Sequence, residues 1–216
     1  SIAVDVSVTD GQYTDSDSFV LTVNAVNDAP VITSAPSAIT DEDLSVEITL
    51  EGSDIDGDAL TYLLDEDSPD GSVTIDDLVA TFVPDSNFNC STSFSYKVTD
   101  GELASSSTIV LITVNAVNDA PVLDDIPDQA IDEDSILTYS LSASDIDGDD
   151  LEYIASIDGN GSVLVDGNTL TITPDANYNG SIAVDVSVTD GQYTDSNSFV
   201  LTVNAVNDAP VLEDIS

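Results

Sequence analysis

Acidic residues fall into the same places of two stretches of this sequence. The clusters are Asp41-Glu42-Asp43, Asp54-Ile55-Asp56-Gly57-Asp58 and Asp100-Gly101 in the first stretch, and Asp132-Glu133-Asp134, Asp145-Ile146-Asp147-Gly148-Asp149 and Asp190-Gly191 in the second. Asn-Asp pairs accompany them at Asn27-Asp28, Asn118-Asp119 and Asn207-Asp208. Calcium prefers roughly six to eight oxygen ligands from carboxylates and carbonyls. The clusters supply such oxygens, so the sequence predicts calcium binding.

Other metals are less well served by these residue types. The chain has no histidine and one cysteine, Cys90, which makes zinc and copper poor candidates. Magnesium stays open, although it demands a tighter octahedron and keeps its waters. Asp and Gly also build turns without any metal. The recurrence of the clusters at matching places favours the metal interpretation over turns alone.

The formal net charge of −42 limits the partners of this chain. It arises from 43 acidic residues and a single basic residue, Lys97. A polyanion repels phosphate and anionic lipid head groups, which excludes nucleic acid as a partner. No stretch reaches the roughly twenty apolar residues that a membrane span needs, so direct membrane insertion is also excluded. Bulk acidity of this kind is also typical of proteins from saline habitats, and that interpretation remains open.

A nine-residue segment, Val23–Val31, divides the chain into repeats, because it recurs at 114–122 and 203–211. Its copies are spaced by 91 and 89 residues, which indicates a tandem repeat of a longer array. The predicted domains are 1–26, the closing half of a preceding repeat; 27–116 and 117–206, two full repeats; and 207–216, the start of the next. Each copy contains a proline, which favours extended backbone and predicts a stiff joint.

The apolar residues of each full repeat alternate with polar ones, as in strands with one buried face. The rows of the first repeat are Leu44, Val46, Ile48 and Leu50; Leu60, Tyr62 and Leu64; Ala80 and Phe82; Phe94, Tyr96 and Val98; and Val110, Ile112 and Val114. Those of the second are Leu137, Tyr139 and Leu141; Leu151 and Tyr153; Leu170 and Ile172; Val184, Val186 and Val188; and Phe199, Leu201 and Val203. With a strand after each proline and another near Val73–Ile75, the prediction is an all-β fold: an elongated array of tandem seven-stranded Greek-key sandwiches of the immunoglobulin or cadherin type.

Several of these residues, taken in order, resemble the signatures of cadherin-like repeats, especially those of large secreted bacterial adhesins. They are Glu42, Asp54-Ile55-Asp56, Val98-Thr99-Asp100-Gly101 and Val117-Asn118-Asp119-Ala120-Pro121. Segment 54–62 also resembles dystroglycan-type cadherin modules. The resemblance implies an extracellular or bacterial cell-surface location and calcium at the boundaries between consecutive repeats.

The resemblance implies three groups of calcium ligands. They are Asn27, Asp28, Asp54, Asp56 and Asp100; then Glu42, Asn118, Asp119, Asp145, Asp147 and Asp190; and finally Glu133, Asn207 and Asp208. Asp58 and Asp149 are weaker candidates. Cadherins carry a further acidic pair where this chain has Pro84-Asp-Ser-Asn-Phe-Asn89 and Pro174-Asp-Ala-Asn-Tyr-Asn179. This departure predicts fewer or weaker ions at each boundary.

The predicted function is that of calcium-rigidified extender repeats of an adhesin, whose partners are the neighbouring repeats of the same chain. The alternative is a calcium-dependent carbohydrate-binding module for surface polysaccharide, although the chain has no tryptophan. An enzyme is not expected, because the acids recur in every repeat and there is no His or Arg. Segment 1–23 is expected to leave strand edges exposed and to exchange into a second molecule, giving a strand-swapped dimer.

Overall fold

Every regular element of the described chain is a β-strand. The computed structural model describes residues 1–210, and this range contains twenty strands and no helix. The chain divides into two compact units, Ser1–Ala116 and Val117–Ser216. The all-β class predicted from the alternating apolar rows is therefore confirmed. No helix in residues 1–210 is long and apolar enough to span a membrane.

Nine strands of each unit build one sandwich, and the first unit has two more. The strands of the first unit are β1 (Ile2–Thr9), β2 (Thr14–Leu21), β3 (Val31–Ile32), β4 (Ser37–Asp41), β5 (Val46–Thr49), β6 (Gly52–Ser53), β7 (Thr61–Glu66), β8 (Gly71–Asp76), β9 (Val79–Pro84), β10 (Ser91–Thr99) and β11 (Thr108–Asn115). Those of the second unit, as far as residue 210, are β12 (Val122–Leu123), β13 (Gln129–Asp132), β14 (Leu137–Ser140), β15 (Ala143–Ser144), β16 (Glu152–Ile157), β17 (Gly161–Asp166), β18 (Thr169–Pro174), β19 (Gly180–Thr189) and β20 (Thr194–Asn204).

The two sandwiches share one topology. In the first, a four-stranded sheet has the order β4-β11-β10-β7, a three-stranded sheet has the order β5-β9-β8, and β3 pairs with β6. The second repeats this pattern as β13-β20-β19-β16, β14-β18-β17 and β12-β15. The edge strands β4 and β13 run parallel to their neighbours, and all other pairs are antiparallel. Strands β1 and β2 form a separate hairpin.

The core of each unit lies between its four-stranded and three-stranded sheets. In the first unit Phe94, Tyr96 and Val98 of β10 are at most 2% exposed, and they pack with Ile48 of β5 and Phe82 of β9. The core of the second unit contains residues that are at most 3% exposed: Leu170, Ile172, Ile182, Val184, Val186, Val188, Leu201 and Val203. The predicted inward rows are thus confirmed where they lie on these strands.

Leu44 is an exception among the predicted inward residues. It is 58% exposed, because the chain turns at Asp43, whose φ is +59°, and the strand begins only at Val46. The predicted seven strands are present, but each sandwich has nine. The additional strands are β4 and β6 in the first unit and β13 and β15 in the second. Strands β6 and β15 have two residues each, too few for any pattern. The half-buried positions of β4 hold Ala38 and Thr40, and those of β13 hold Gln129 and Ile131, so neither strand carries a row of large apolar residues.

Candidate metal centre

The Asp54–Asp58 turn is organised by one carboxylate oxygen. Oδ1 of Asp54 accepts hydrogen bonds from the backbone N–H of Asp56 at 2.8 Å and of Gly57 at 3.1 Å. The N–H of Asp58 lies 3.4 Å from the same oxygen. Gly57 has a φ of +83°, in the left-handed region that glycine enters without a steric penalty. Side chain and glycine together fix the positions of three neighbouring carboxylates.

The recurring joint segment lies against this turn. Oδ2 of Asp56 accepts the backbone N–H of Asp28 at 2.9 Å. The side-chain amide of Asn27 donates to Oδ2 of Asp100 at 2.9 Å. The first unit therefore brings together the five residues predicted to share one site: Asn27, Asp28, Asp54, Asp56 and Asp100.

The second unit builds the same arrangement from its own residues. Oδ1 of Asp145 accepts the N–H of Asp147 and of Gly148, each at 3.0 Å. Oδ2 of Asp147 accepts the N–H of Asp119 at 2.7 Å. The amide of Asn118 donates to Oδ2 of Asp190 at 2.8 Å. Five predicted ligands thus converge here as well.

The remaining oxygen of each leading aspartate distinguishes these turns from ordinary Asp-Gly turns. Oδ2 of Asp54 and Oδ2 of Asp145 are buried and have no hydrogen-bond partner in the described chain. A buried carboxylate oxygen without a donor is costly, and a bound cation removes that cost. One oxygen each of Asp54, Asp56 and Asp58 lies within 4.8 Å of the others, as do those of Asp145, Asp147 and Asp149. These residues fit an oxygen-coordinated cation.

The protonation equilibria of the acids differ with their surroundings. The amide of Asn118, followed by the N–H groups of Tyr193 and Gln192, holds the pKa of Asp190 below its ordinary value. The pKa of Asp100 is lowered chiefly by the N–H of Leu103 and then by Asn27. Both carboxylates therefore stay charged around neutral pH.

Asp149 behaves in the opposite way. Its pKa is raised by partial desolvation and then by repulsion from the neighbouring carboxylates, Asp145 first among them. Like charges held this close disfavour the ionised form. A divalent cation bound among these carboxylates would relieve that repulsion. Asp149 is therefore a candidate ligand, and Asp58 is one because of its distance from Asp54 and Asp56.

Glu133 lies at the other end of its sandwich from the aspartate turn. It is 8% exposed, and its backbone N–H donates to the carbonyl of Asn204, at the end of β20, at 2.9 Å. Oε1 accepts the N–H of Val206 and Oε2 accepts the amide of Asn179 at 3.4 Å. Asp190 instead follows β19, which runs antiparallel to β20. The carboxylate therefore holds the start of the joint segment directly.

Glu42 occupies the equivalent place in the first unit. It is 4% exposed, its N–H donates to the carbonyl of Asn115 at 3.0 Å, and Oε2 accepts the amide of Asn89 at 3.1 Å. Asn207 and Asp208 follow β20, and the amide of Asn207 donates to the carbonyl of Asp208 at 3.1 Å. Joint coordination of an ion by Glu42 with Asn118 and Asp119, or by Glu133 with Asn207 and Asp208, stays a prediction.

Glu133→Ala is expected to destabilise the second unit by about 1–3 kcal/mol, because the N–H of Val206 and the amide of Asn179 lose a buried acceptor. Glu133→Gln is the matched control. Its carbonyl keeps one acceptor and Asn179 can present its own oxygen to the new amide, so a smaller loss is expected. Calorimetric unfolding in chelator, which removes any metal contribution, measures both. Equal losses for the two variants would contradict this role of the carboxylate.

Three supporting residues were not found from the sequence. Asn89 and Asn179 hold the buried glutamates, and the amide of Gln192 donates to Oδ1 of Asn118 at 3.1 Å. Asn89 and Asn179 recur at matching positions of the two repeats, which was a usable signal. Gln192 has no such signal, because Glu102 stands at the matching position of the first repeat.

The family match falls on the two compact units of the chain separately. The sequence model of the family described as "Bacterial Ig domain" matches residues 27–113 and again 118–204. The chain belongs to the bacterial Ig domain family. These bacterial Ig repeats stand in tandem, and domains of this family are typically extracellular or surface domains of structural, non-enzymatic character.

One curated relative matches most of this chain at moderate sequence identity. A protein named chitinase A from Pseudoalteromonas piscicida is 30% identical over 181 residues, which are 82% of this chain and 22% of that protein. The chain therefore spans about a fifth of the length of that relative.

Solved structures agree with the cadherin-like fold. Human protocadherin-24 EC1-2 has a TM-score of 0.54 at 17% identity, covering 85% of this chain and 100% of that one. Human mucin-like protocadherin EC1-2 has a TM-score of 0.50 at 19% identity, covering 81% and 97%. At this identity the likeness concerns the fold alone.

Proposed function

We propose that these bacterial Ig repeats bind calcium and serve as calcium-rigidified extender modules of a large secreted or cell-surface adhesin. The buried, donor-free oxygens of Asp54 and Asp145 carry the proposal. Two repeats whose sequences differ leave the same oxygen without a donor, at the same place beside the same joint segment. A turn built for backbone geometry alone has no need of this.

Calcium is the cation that this donor set favours. The candidate ligands are carboxylate and amide oxygens, which are hard donors, and no histidine or thiol stands among them. Calcium tolerates irregular arrangements of such oxygens, whereas magnesium requires a small octahedron. When bound, the ion would supply positive charge to oxygens that otherwise repel one another. The residues of the chain hold the carboxylates in place through the backbone hydrogen bonds described above.

The mechanical role follows from where the site lies in the sequence. Asn118 and Asp119 belong to the joint segment, and both are fixed to the aspartates of the second unit. Glu133 in turn holds Val206 at the start of the next copy of that segment. The second sandwich thus holds one copy of the joint segment at each of its two ends. Neutralising the acids at a joint is proposed to restrict its motion.

Small-angle scattering with and without calcium tests the mechanical role. In calcium the curve is expected to fit a narrow range of conformations, and in excess chelator a broader one, because unrelieved repulsion at the joint permits varied angles. Asp145→Asn is the control, since its amide oxygen can still organise the turn while the second carboxylate oxygen is lost. Identical curves in calcium and chelator for the unsubstituted chain would overturn the extender role.

A second candidate function is calcium-dependent binding of surface polysaccharide. Two tyrosines next to Asp-Gly turns favour it, because Tyr13 is 77% and Tyr193 is 49% exposed, and exposed aromatic rings can stack on sugars. The relative named chitinase A is consistent with a carbohydrate context. Chelator-sensitive binding to a glycan array would support this function. We propose no catalytic role, since the same acids recur in both repeats.

A further inference from the structure

Within residues 1–210, one side-chain contact of the second unit has no counterpart in the first. Oδ1 of Asn118 accepts the side-chain amide of Gln192 at 3.1 Å. Glu102 stands at the matching position of the first repeat. An ionised glutamate side chain carries no N–H or O–H group, so it accepts hydrogen bonds and donates none. Glu102 therefore cannot make this contact with the side-chain oxygen of Asn27, the residue that matches Asn118.

The turns that carry these two side chains are built alike. The aspartate of each turn, Asp100 or Asp190, accepts the backbone N–H groups two and three positions later at 2.6–2.7 Å. The glycine after it has a φ of +99° in the first turn and +96° in the second. Glutamate and glutamine side chains have the same length. The difference between Glu102 and Gln192 therefore lies in the chemistry of the terminal group.

Gln192 completes the attachment of Asn118 to the second unit. The amide nitrogen of Asn118 donates to Oδ2 of Asp190 at 2.8 Å, and its oxygen accepts the amide of Gln192. Both ends of the Asn118 side chain are thus hydrogen-bonded to one turn without any cation. Because Asn118 belongs to the joint segment, these bonds fix that segment to the turn between β19 and β20.

The first unit offers its joint segment a different terminal group. The amide nitrogen of Asn27 donates to Oδ2 of Asp100 at 2.9 Å, as in the second unit. At position 102, however, a carboxylate stands in place of the amide of Gln192. The carboxylate of Glu102 and the oxygen of Asn27 are two acceptors with no proton to share. A calcium ion is a partner that both oxygens can bind.

We propose that the residue at positions 102 and 192 sets how far each joint segment depends on calcium. Gln192 is a positioning residue that holds the joint segment through Asn118 when no cation is bound. Glu102 leaves the segment at Asn27 more loosely held until a cation binds, and its carboxylate then serves as a further ligand. The role of Glu102 rests on the calcium binding proposed above, whereas the role of Gln192 does not.

Amide hydrogen exchange in chelator, resolved by NMR, tests the role of Gln192 by itself. The reporters are the backbone amides of Asp28 and Asp119, each of which donates to an aspartate of its own unit. Gln192→Glu is expected to speed exchange at Asp119 about two- to tenfold, as for the loss of one hydrogen bond. Glu102→Gln supplies the missing donor and is expected to slow exchange at Asp28 by a similar factor. Unchanged rates in both variants would overturn the proposal.

A calcium titration followed at the same two amides tests the role of Glu102. Glu102→Gln is expected to weaken calcium binding by the first unit about tenfold, because calcium affinity depends on the number of charged ligands. Gln192→Glu is expected to strengthen calcium binding by the second unit for the same reason. This variant thus loosens the joint segment in chelator and tightens calcium binding, a reversal that a purely structural glutamine does not produce.

Gln12→Glu is the control for added charge. Gln12 occupies the matching turn of the β1–β2 hairpin, outside both joint segments, and its substitution is expected to change neither exchange nor calcium binding at the reporters. Equal effects of Gln12→Glu and Gln192→Glu would mean that charge alone acts, and would overturn the proposal.

The outcomes separate this inference from the proposed function. If calcium changes the exchange of neither reporter, the proposed calcium binding is wrong, and with it the role of Glu102. The chelator experiment still decides the role of Gln192 in that case. If calcium binds and neither Glu102→Gln nor Gln192→Glu alters its affinity, the role of Glu102 is overturned while the proposed function stands.

Discussion

Calcium at about a hundred times its dissociation constant is expected to stabilise each repeat that binds one ion by about 2.7 kcal/mol. For a domain of this size that free energy corresponds to a rise in Tm of roughly 10–20 °C. The physical reason is that the ion binds carboxylates that only the folded turn brings within 4.8 Å of one another. The unfolded chain separates them and loses most of that affinity.

Asp54→Asn and Asp145→Asn together are expected to remove most of this rise. Each asparagine keeps one oxygen for the backbone donors of its turn and replaces the buried, donor-free oxygen with an amide. Asp76→Asn, at an exposed position outside the clusters, removes one charge without touching a site and is expected to leave the rise intact. Calorimetry in calcium, in magnesium and in chelator measures the Tm of the unsubstituted chain, of the double variant and of Asp76→Asn. An undiminished calcium effect in the double variant would contradict the assignment of these aspartates.

Phe199→Ala is expected to lower the free energy of unfolding of the second unit by about 3–5 kcal/mol, whereas Phe19→Ala is expected to change that of the first unit by less than about 0.5 kcal/mol. The two phenylalanines occupy the same place in nearly identical hairpins. Phe199 is 3% exposed and its removal leaves a cavity in the core, while Phe19 is 55% exposed.

The pair forms its own control, because local sequence and strand register are the same at both positions. Chemical denaturation monitored by tyrosine fluorescence measures the losses of free energy of unfolding, and calorimetry provides a second measurement. Similar losses for the two variants would mean that the first hairpin is packed in solution.

Most of the fold could be predicted because one face of each long strand is buried. Rows such as Val110, Ile112 and Val114 alternate with exposed residues, and the alternation survives in the sequence. Strand β6 was not predicted because two residues cannot display a period, and β4 was missed because its half-buried residues are Ala38 and Thr40 and not large apolar ones. Leu44 belonged to a predicted row and yet lies in a turn, because strand ends are set by backbone geometry at Asp43 and not by hydrophobicity.

The proximity of the aspartate clusters to the Asn-Asp pairs could be predicted, because both recur at matching places. Their role as metal ligands, and the participation of Glu42 and Glu133, stay predictions. The local turn chemistry of the aspartate clusters is also encoded in sequence, as the Asp-x-Asp-Gly pattern shows. The sequence did not indicate that Asn89 and Asn179 support the buried glutamates, or that Glu133 holds the N–H of Val206. Those contacts join residues 46 and 73 positions apart, which only the folded topology brings together.

The repeat, the strand period and the acids available to a cation can be derived from the amino-acid sequence. Which oxygens lack a donor and which apolar rows are covered depends on the folded arrangement. The two nearly identical hairpins give the reason. Burial and desolvation depend on the strands that pack against a segment, and residues 2–21 carry the same local information as 182–201. Val186 is buried because residues such as Leu170 and Ile172 pack against it. Val6 is exposed, and its hairpin forms a separate two-stranded sheet.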